Sequence, residues 1–209
     1  MTENDKLTEE KIFDTATDVF IEKGMDGARM QDIADRAGIN KALLHYYYRS
    51  KDLLFEAVFQ KTAGKMFEKF APVLEENLTL EEKIRFFFRE HIDFMTRNPR
   101  LPAFVLNEVN KNPERIARII KKIDFENIWK TLERQHKEEF ERYNITIESV
   151  PQIMTTIAAM SVFPFAAKGI IETALNSMGM SFGKYAEERK EFAAEFIITA
   201  LKAREKKKK

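Results

Sequence analysis

Lys41, His45, Tyr46 and Tyr47 fall within seven residues of one another, with Ala42 and Leu43 between them. An ammonium, an imidazole and phenols can bond phosphate oxygens and base edges, while alanine and leucine can lie against thymine methyls. That is the chemistry of reading duplex DNA, and it needs a helix that turns these side chains outward. Other groups with chemical potential are few. There is no cysteine, which excludes disulfides, thiolate metal sites and thiol catalysis. Glu133 and His136 have the Glu-x-x-His spacing of di-iron helical bundles, but such sites need a second copy, and Glu90-His91 does not supply it. The chain has no His-Glu-x-x-His and no phosphate-binding glycine loop. No catalytic residue, metal or cofactor is expected, and His91 and His136 read as surface or core histidines.

The segment Met30–Lys51 has the local signals to position the candidate side chains. Ile33, Ala34 and Ala37 form an apolar stripe at helical spacing. Gly38 can take the left-handed conformation that ends a helix, and Asn40 is a good N-cap for a second one, Lys41 to about Tyr47. Ile39, Leu44 and Tyr48 can pack inward. A preceding helix over residues 8–24 carries Ile12, Phe13, Ala16, Val19 and Phe20 on one side, with Thr8 as its cap and Gly24 as its stop. Ser50 is expected to cap a fourth helix reaching about Phe70, packed through Leu53, Leu54, Ala57, Val58, Thr62 and Met66.

The run DIADRAGINKALLHYYYRSKDLL resembles the signature of the TetR family of transcriptional regulators, over roughly residues 8–55. The resemblance implies a ligand-responsive DNA-binding regulator, by family default a repressor, that binds a near-palindromic operator as a homodimer and is released by a small effector. By matching position it implies that Lys41, Ala42, Leu43, His45 and Tyr46 approach bases. Tyr47, Lys51, Gln31 and Arg29 would hold phosphates. The sequence departs from the family pattern at Arg29, where a capping threonine is usual, and at Leu43 and His45, where threonine and tyrosine are common. The cap of the second helix is therefore missing or differently made, and base preference does not carry over.

Charge tempers this reading. The net charge is +1, and residues 1–50 hold seven Lys/Arg against ten Asp/Glu. The acids gather on the first helix, and Arg29, Arg36, Lys41, Arg49 and Lys51 lie near the turn and the second helix. Modest non-specific affinity and strong dependence on a matched operator are expected. The acidic start of the chain lacks a secretory pattern, and no apolar run reaches the ~18–20 residues of a membrane span, so a cytoplasmic protein without membrane contact is expected.

The rest reads as helix throughout. The expected fold is all-α, with about nine helices: a three-helix DNA-binding domain of the helix-turn-helix type over residues 1–50, and a helical bundle over 51–209 for dimerisation and ligand binding. Pro72 should end the fourth helix. A segment over 113–143 is expected to break near Asp124, and Pro164 should kink or split the one over 148–176. Met154, Ile157, Ala158, Ser161 and Phe165 share one face of that segment. Phe192, Phe196, Ile197 and Ala200 share a face of the last helix. A two-fold four-helix interface would explain both faces, and the resemblance implies one. Phe87, Phe94, Phe104, Phe125, Trp129, Met160 and Phe163 could line an adaptable apolar pocket for a hydrophobic or aromatic effector. A helical adaptor that binds only protein is the rival reading; it leaves Lys41, His45, Tyr46 and Tyr47 without a purpose.

Overall fold

The computed structural model describes the backbone of residues 3–68, 78–121 and 124–205, and within these not the side chains of 3–6, 63, 65–68, 115–116, 119–120 and 125. The described residues form twelve helical segments and no strand. The number exceeds the expectation because two long runs subdivide. The chain makes two compact units, Met1–Lys65 with Phe104–Ile119, and Met66–Ala103 with Ile120–Lys209.

In the first unit, α1 (Glu3–Gly27), α2 (Met30–Ala37), α3 (Lys41–Tyr47) and α4 (Lys51–Glu68) follow in order. Thr8 lies inside α1 and does not cap it, whereas Gly24 does interrupt it, at φ 68°. The expected stripe of α1 is buried in full: Ile12, Phe13, Ala16, Val19 and Phe20. Ser50 caps α4 as its position suggests, its hydroxyl accepting the Leu53 N–H at 3.2 Å. The buried face of α4 is set one step from the expected one: Leu53 is 56% exposed, while Leu54, Phe55, Val58 and Phe59 are buried. Leu53-Leu54-Phe55 is a continuous apolar run and fits either stripe; Phe55 wins because its ring meets Phe20 edge-on at 4.8 Å. Phe104, on α6 (Leu101–Lys111), then packs against Phe55 and Phe59 at 5.9 and 6.1 Å. α7 (Pro113–Ile120) adds an ion pair, Arg118 to Glu56 at 2.9 Å. Met66 and Pro72 lie outside the described residues.

The second unit is built on α5 (Leu80–Arg97), paired with α12 (Phe182–Lys202) and crossed by α10 (Val150–Ala166). Thr79 and Glu82 close a capping box at the start of α5. Ala193 and Ala194 let α12 approach α5 closely, and the seam is edged by Arg85 with Glu191 and Glu195, and by Lys190 with Asp93 at 2.7 Å. The run after Asp124 forms α8 (Phe125–Gln135) and α9 (Lys137–Arg142), separated at His136. Pro164 does not break α10. Its missing N–H leaves the Met160 carbonyl without an intrahelical partner, and Arg189 Nε donates to that carbonyl at 2.9 Å. The break comes three residues later, at Ala167, before α11 (Lys168–Ser177), and the two axes differ by 75°. No single described helix is long and apolar enough to cross a membrane, although the bent pair α10–α11 has the length and composition of a broken span.

Candidate nucleic-acid interface

The α2–α3 turn is fixed by backbone geometry. Gly38 sits at φ 63°, so the Ile39 N–H reaches the Ala34 carbonyl at 3.0 Å and the Gly38 N–H reaches that of Asp35 at 3.1 Å, the two bonds of a Schellman turn. Asn40 Oδ1 accepts the Leu43 N–H at 2.7 Å and starts α3. At seven residues α3 is too short to persist alone. It is held by that cap and by the buried Leu44, with Ile39 and Tyr48 half-buried beside it. Arg29 occupies the N-cap of α2 without a side-chain bond, as its departure from threonine led us to expect.

The outward face of α3 presents Lys41, Ala42, His45 and Tyr46, with Leu43 and Tyr47 half-buried at its edges. Tyr46 is 79% exposed, and its ring stands edge-on to Tyr47 at 5.5 Å. His45 Nδ1 lies 3.4 Å from the Arg49 carbonyl; a carbonyl only accepts, so that contact makes Nδ1 the donor and leaves Nε2 to accept from outside. Gln31 donates to Asp35 at 2.7 Å and keeps a second amide N–H for an outside acceptor. Lys51 is engaged within the fold, where its Nζ donates to the carbonyls of Met25 at 2.9 Å and Ala28 at 3.1 Å, at the end of α1. Only one of its three donors is left for a phosphate. Elsewhere basic groups are neutralised by acids, Lys23 by Asp32 at 2.6 Å and Arg36 by Glu22 at 3.0 Å. The Lys23 bond holds the Asp32 carboxyl below the usual carboxylate range. Arg49, missing from the sequence-based set, is exposed just beyond α3.

The other two sets fare differently. Ser161, Phe165 and Ile197 are buried inside the second unit and have no surface to offer a second subunit. α10 is apolar on all sides, so periodicity did not choose its face; Ala159 and Phe163 are the exposed apolar residues of its second half. Met154, Phe192, Phe196 and Ala200 are exposed, with Ile157 and Ala158 half-buried. The pocket residues do not converge. Phe87 and Phe94 are core of α5, Phe163 is 58% exposed, and Met160 is half-buried. Phe104 belongs to the first unit's aromatic cluster, Phe125 falls among the undescribed side chains, and Trp129 packs on Phe140 at 5.4 Å.

Residues 12–58, the stretch that builds this interface, match the model of the bacterial regulatory proteins of the tetR family. The amino-terminal head is thus of the TetR type. Among curated relatives, it is 31% identical over 96 residues to the biofilm operon icaADBC negative transcriptional regulator IcaR of Staphylococcus epidermidis. That match covers 44% of this chain and 50% of the relative, so the chain spans about half the length of the curated relative it matches. The fold extends further. A TetR-like transcriptional regulator from Rhodococcus superposes with a TM-score of 0.62 at 22% identity, over 93% of this chain and 95% of that one. The regulator FadR from Bacillus subtilis, solved in complex with stearoyl-CoA, gives 0.63 at 16% identity, over 92% and 98%. The all-α TetR-like architecture expected from the sequence is therefore the one observed.

Proposed function

We propose that this protein is a DNA-binding transcriptional regulator of the TetR family in the cytoplasm that reads a near-palindromic operator as a homodimer and is released by a small hydrophobic effector. The observation that carries the reading is the outward face of α3, where Lys41, Ala42, His45 and Tyr46 meet solvent on a helix whose start and end are both fixed. A tight turn followed by such a helix is the geometry that enters a major groove by its N-terminal residues. Lys41, Ala42, Leu43, His45 and Tyr46 then approach base edges. Arg29, Gln31, Tyr47 and Arg49 hold phosphates, with Lys51 limited to one donor.

Residues 1–50 do the reading, and 51–209 provide dimerisation and effector binding. Exposed Phe192, Phe196 and Ala200 on α12, with Met154, Ala159 and Phe163 on α10, supply the apolar surface that a second copy would cover. Repression is supported by the negative regulator among the relatives, and a hydrophobic effector by the neighbour solved with stearoyl-CoA. The segment Phe104–Ile119 shares the head's unit, so a shift of Phe104 against Phe55 and Phe59 is the means by which effector state reaches α4. Such coupling is reciprocal: bound operator lowers effector affinity by the factor by which effector lowers operator affinity.

Selection from a random duplex pool tests the proposal. The expected result is a near-palindrome with half-sites about 34–36 Å apart, or a multiple of a helical turn. No enrichment at low salt with folded protein would overturn it.

A further inference from the structure

The Phe and Met side chains singled out by composition are, among the described residues, mostly core or surface, yet the second unit does hold a hollow. It is a concavity of about 500 Å³, framed by α8, α9 and the turn Asn144–Thr146. That volume falls within the ~300–1,000 Å³ of small-molecule sites. We propose that this cleft binds an amphipathic monoanion, a carboxylate on an apolar chain, and that this is the effector of the regulator proposed above, on which the inference rests.

The floor is apolar and fixed in place. Phe140 is 7% exposed and has the Trp129 ring at 5.4 Å and the His136 ring at 6.4 Å. Ile145 adds a half-buried wall. The shape comes from the chain break at His136, and that break is pinned. His136 Nδ1 lies 2.7 Å from Glu139 Oε2, and both Glu139 oxygens accept the Leu80 N–H, at 3.2 and 3.3 Å. Beside it the buried Lys83 Nζ donates to Gln135 Oε1 at 3.0 Å. A ligand would therefore meet a hollow already formed and lose little free energy in ordering it.

The rim sets the charge. Lys130 and Arg134 of α8 and Lys137 of α9 share the lining with Glu133 and Glu141. Lys130 also pairs with Glu126 at 2.6 Å. The lining residues themselves carry three positive charges against two negative, which suits a single anionic group at the cationic side chains with its apolar part on Phe140 and Ile145. A dianion would meet the two glutamates, and a cation would meet the lysines.

Trp129 is the only tryptophan in the chain and packs on Phe140, so its emission reports on the floor through that contact. The full chain is titrated with decanoate and with decyltrimethylammonium, each below its micelle concentration. Decanoate should shift Trp129 emission with saturation, and the cation of equal chain length should bind at least tenfold more weakly. In the double variant Arg134→Glu/Lys137→Glu, with unchanged circular dichroism, decanoate binding should weaken about tenfold. Equal binding of both probes, no decanoate binding, or an unaffected double variant would each overturn the inference. Operator release separates this from the functional reading. Decanoate releasing operator equally from wild type and double variant would place the effector elsewhere and leave the regulator standing. Absence of any operator would instead remove the regulator.

Discussion

His91 makes the stability of the second unit depend on pH in a way that can be worked out in advance. It lies fully buried on α5, stacked on Phe87 with ring centroids 5.0 Å apart. Burial disfavours the imidazolium and lowers its pKa from the ordinary 6.5 to about 4. The unfolded chain then binds a proton at pH values where the folded chain does not. The stabilisation from keeping His91 neutral is present above pH 6.5 and is lost as pH falls toward the folded value. Between pH 7.5 and pH 5 those two pKa values correspond to about 2 kcal/mol of lost stability.

The assay is urea unfolding at the two pH values, followed by Trp129 emission, for wild type and His91→Phe. Phenylalanine keeps the stack on Phe87 and cannot titrate. Every other titrating group contributes alike to both proteins, so the pH-dependent loss should be smaller in the variant by about 2 kcal/mol. Equal losses in the two proteins would refute the reasoning, because a proton on His91 would then cost the folded state nothing.

Three further outcomes follow from the head and the exposed faces. Tyr46→Ala, at a solvent-exposed position, should leave stability within about 0.5 kcal/mol yet remove roughly 1–3 kcal/mol of discrimination at one operator position; an equal loss on operator and random duplex would instead make Tyr46 a phosphate contact. Phe104→Ala opens the cluster with Phe55 and Phe59 and should destabilise the head by about 3–5 kcal/mol in denaturant unfolding. Phe192→Glu/Phe196→Glu places charge on the stacked pair of α12 and should yield a monomer by sedimentation with operator affinity falling in step; a dimer that survives would move the interface off α12.

The parts of the fold that were legible in the sequence are those written by local rules. Gly38 fixes the α2–α3 turn through a left-handed conformation that few other residues adopt, and Asn40 through its side-chain cap, so the pair marks where the candidate interface lies along the chain. Thr79 and Glu82 spell a capping box by the same kind of rule, and that spacing is the signal for the start of α5. What escaped depended on partners distant in sequence. Whether Leu53 or Phe55 faces inward is decided by Phe20, and Lys51 is drawn to the carbonyls of Met25 and Ala28, more than twenty residues back. At Pro164 the freed Met160 carbonyl is met by Arg189, from the distant α12, and the helix runs on to Ala167. Composition also cannot separate an aromatic cavity from an aromatic core, and here Phe87 and Phe94 are core while the hollow lies along α8 and α9.

The acidic sum of the head is reconciled with DNA binding by where its charges are used. Lys23, Arg36 and Lys111 are engaged with Asp32, Glu22 and Asp26, so they can meet phosphate only by giving up a carboxylate. Arg29, Arg49 and Lys51 are the cations of the head set on phosphate in this reading, and they hold no carboxylate among the described residues, three per head and six in a dimer. Each phosphate neutralised contributes about −0.9 to the slope of log K against log salt, so six predict a slope of about −5. Arg49→Ala, which removes two of the six, should flatten it by roughly 2 on any sequence. Binding to random duplex and to operator should share this slope, because phosphate contacts do not read sequence, and differ in the affinity that base contacts add. A wild-type slope of about −10 would mean that the ion pairs open on DNA and that the acids of α1 and α2 act as counter-ions displaced by phosphate.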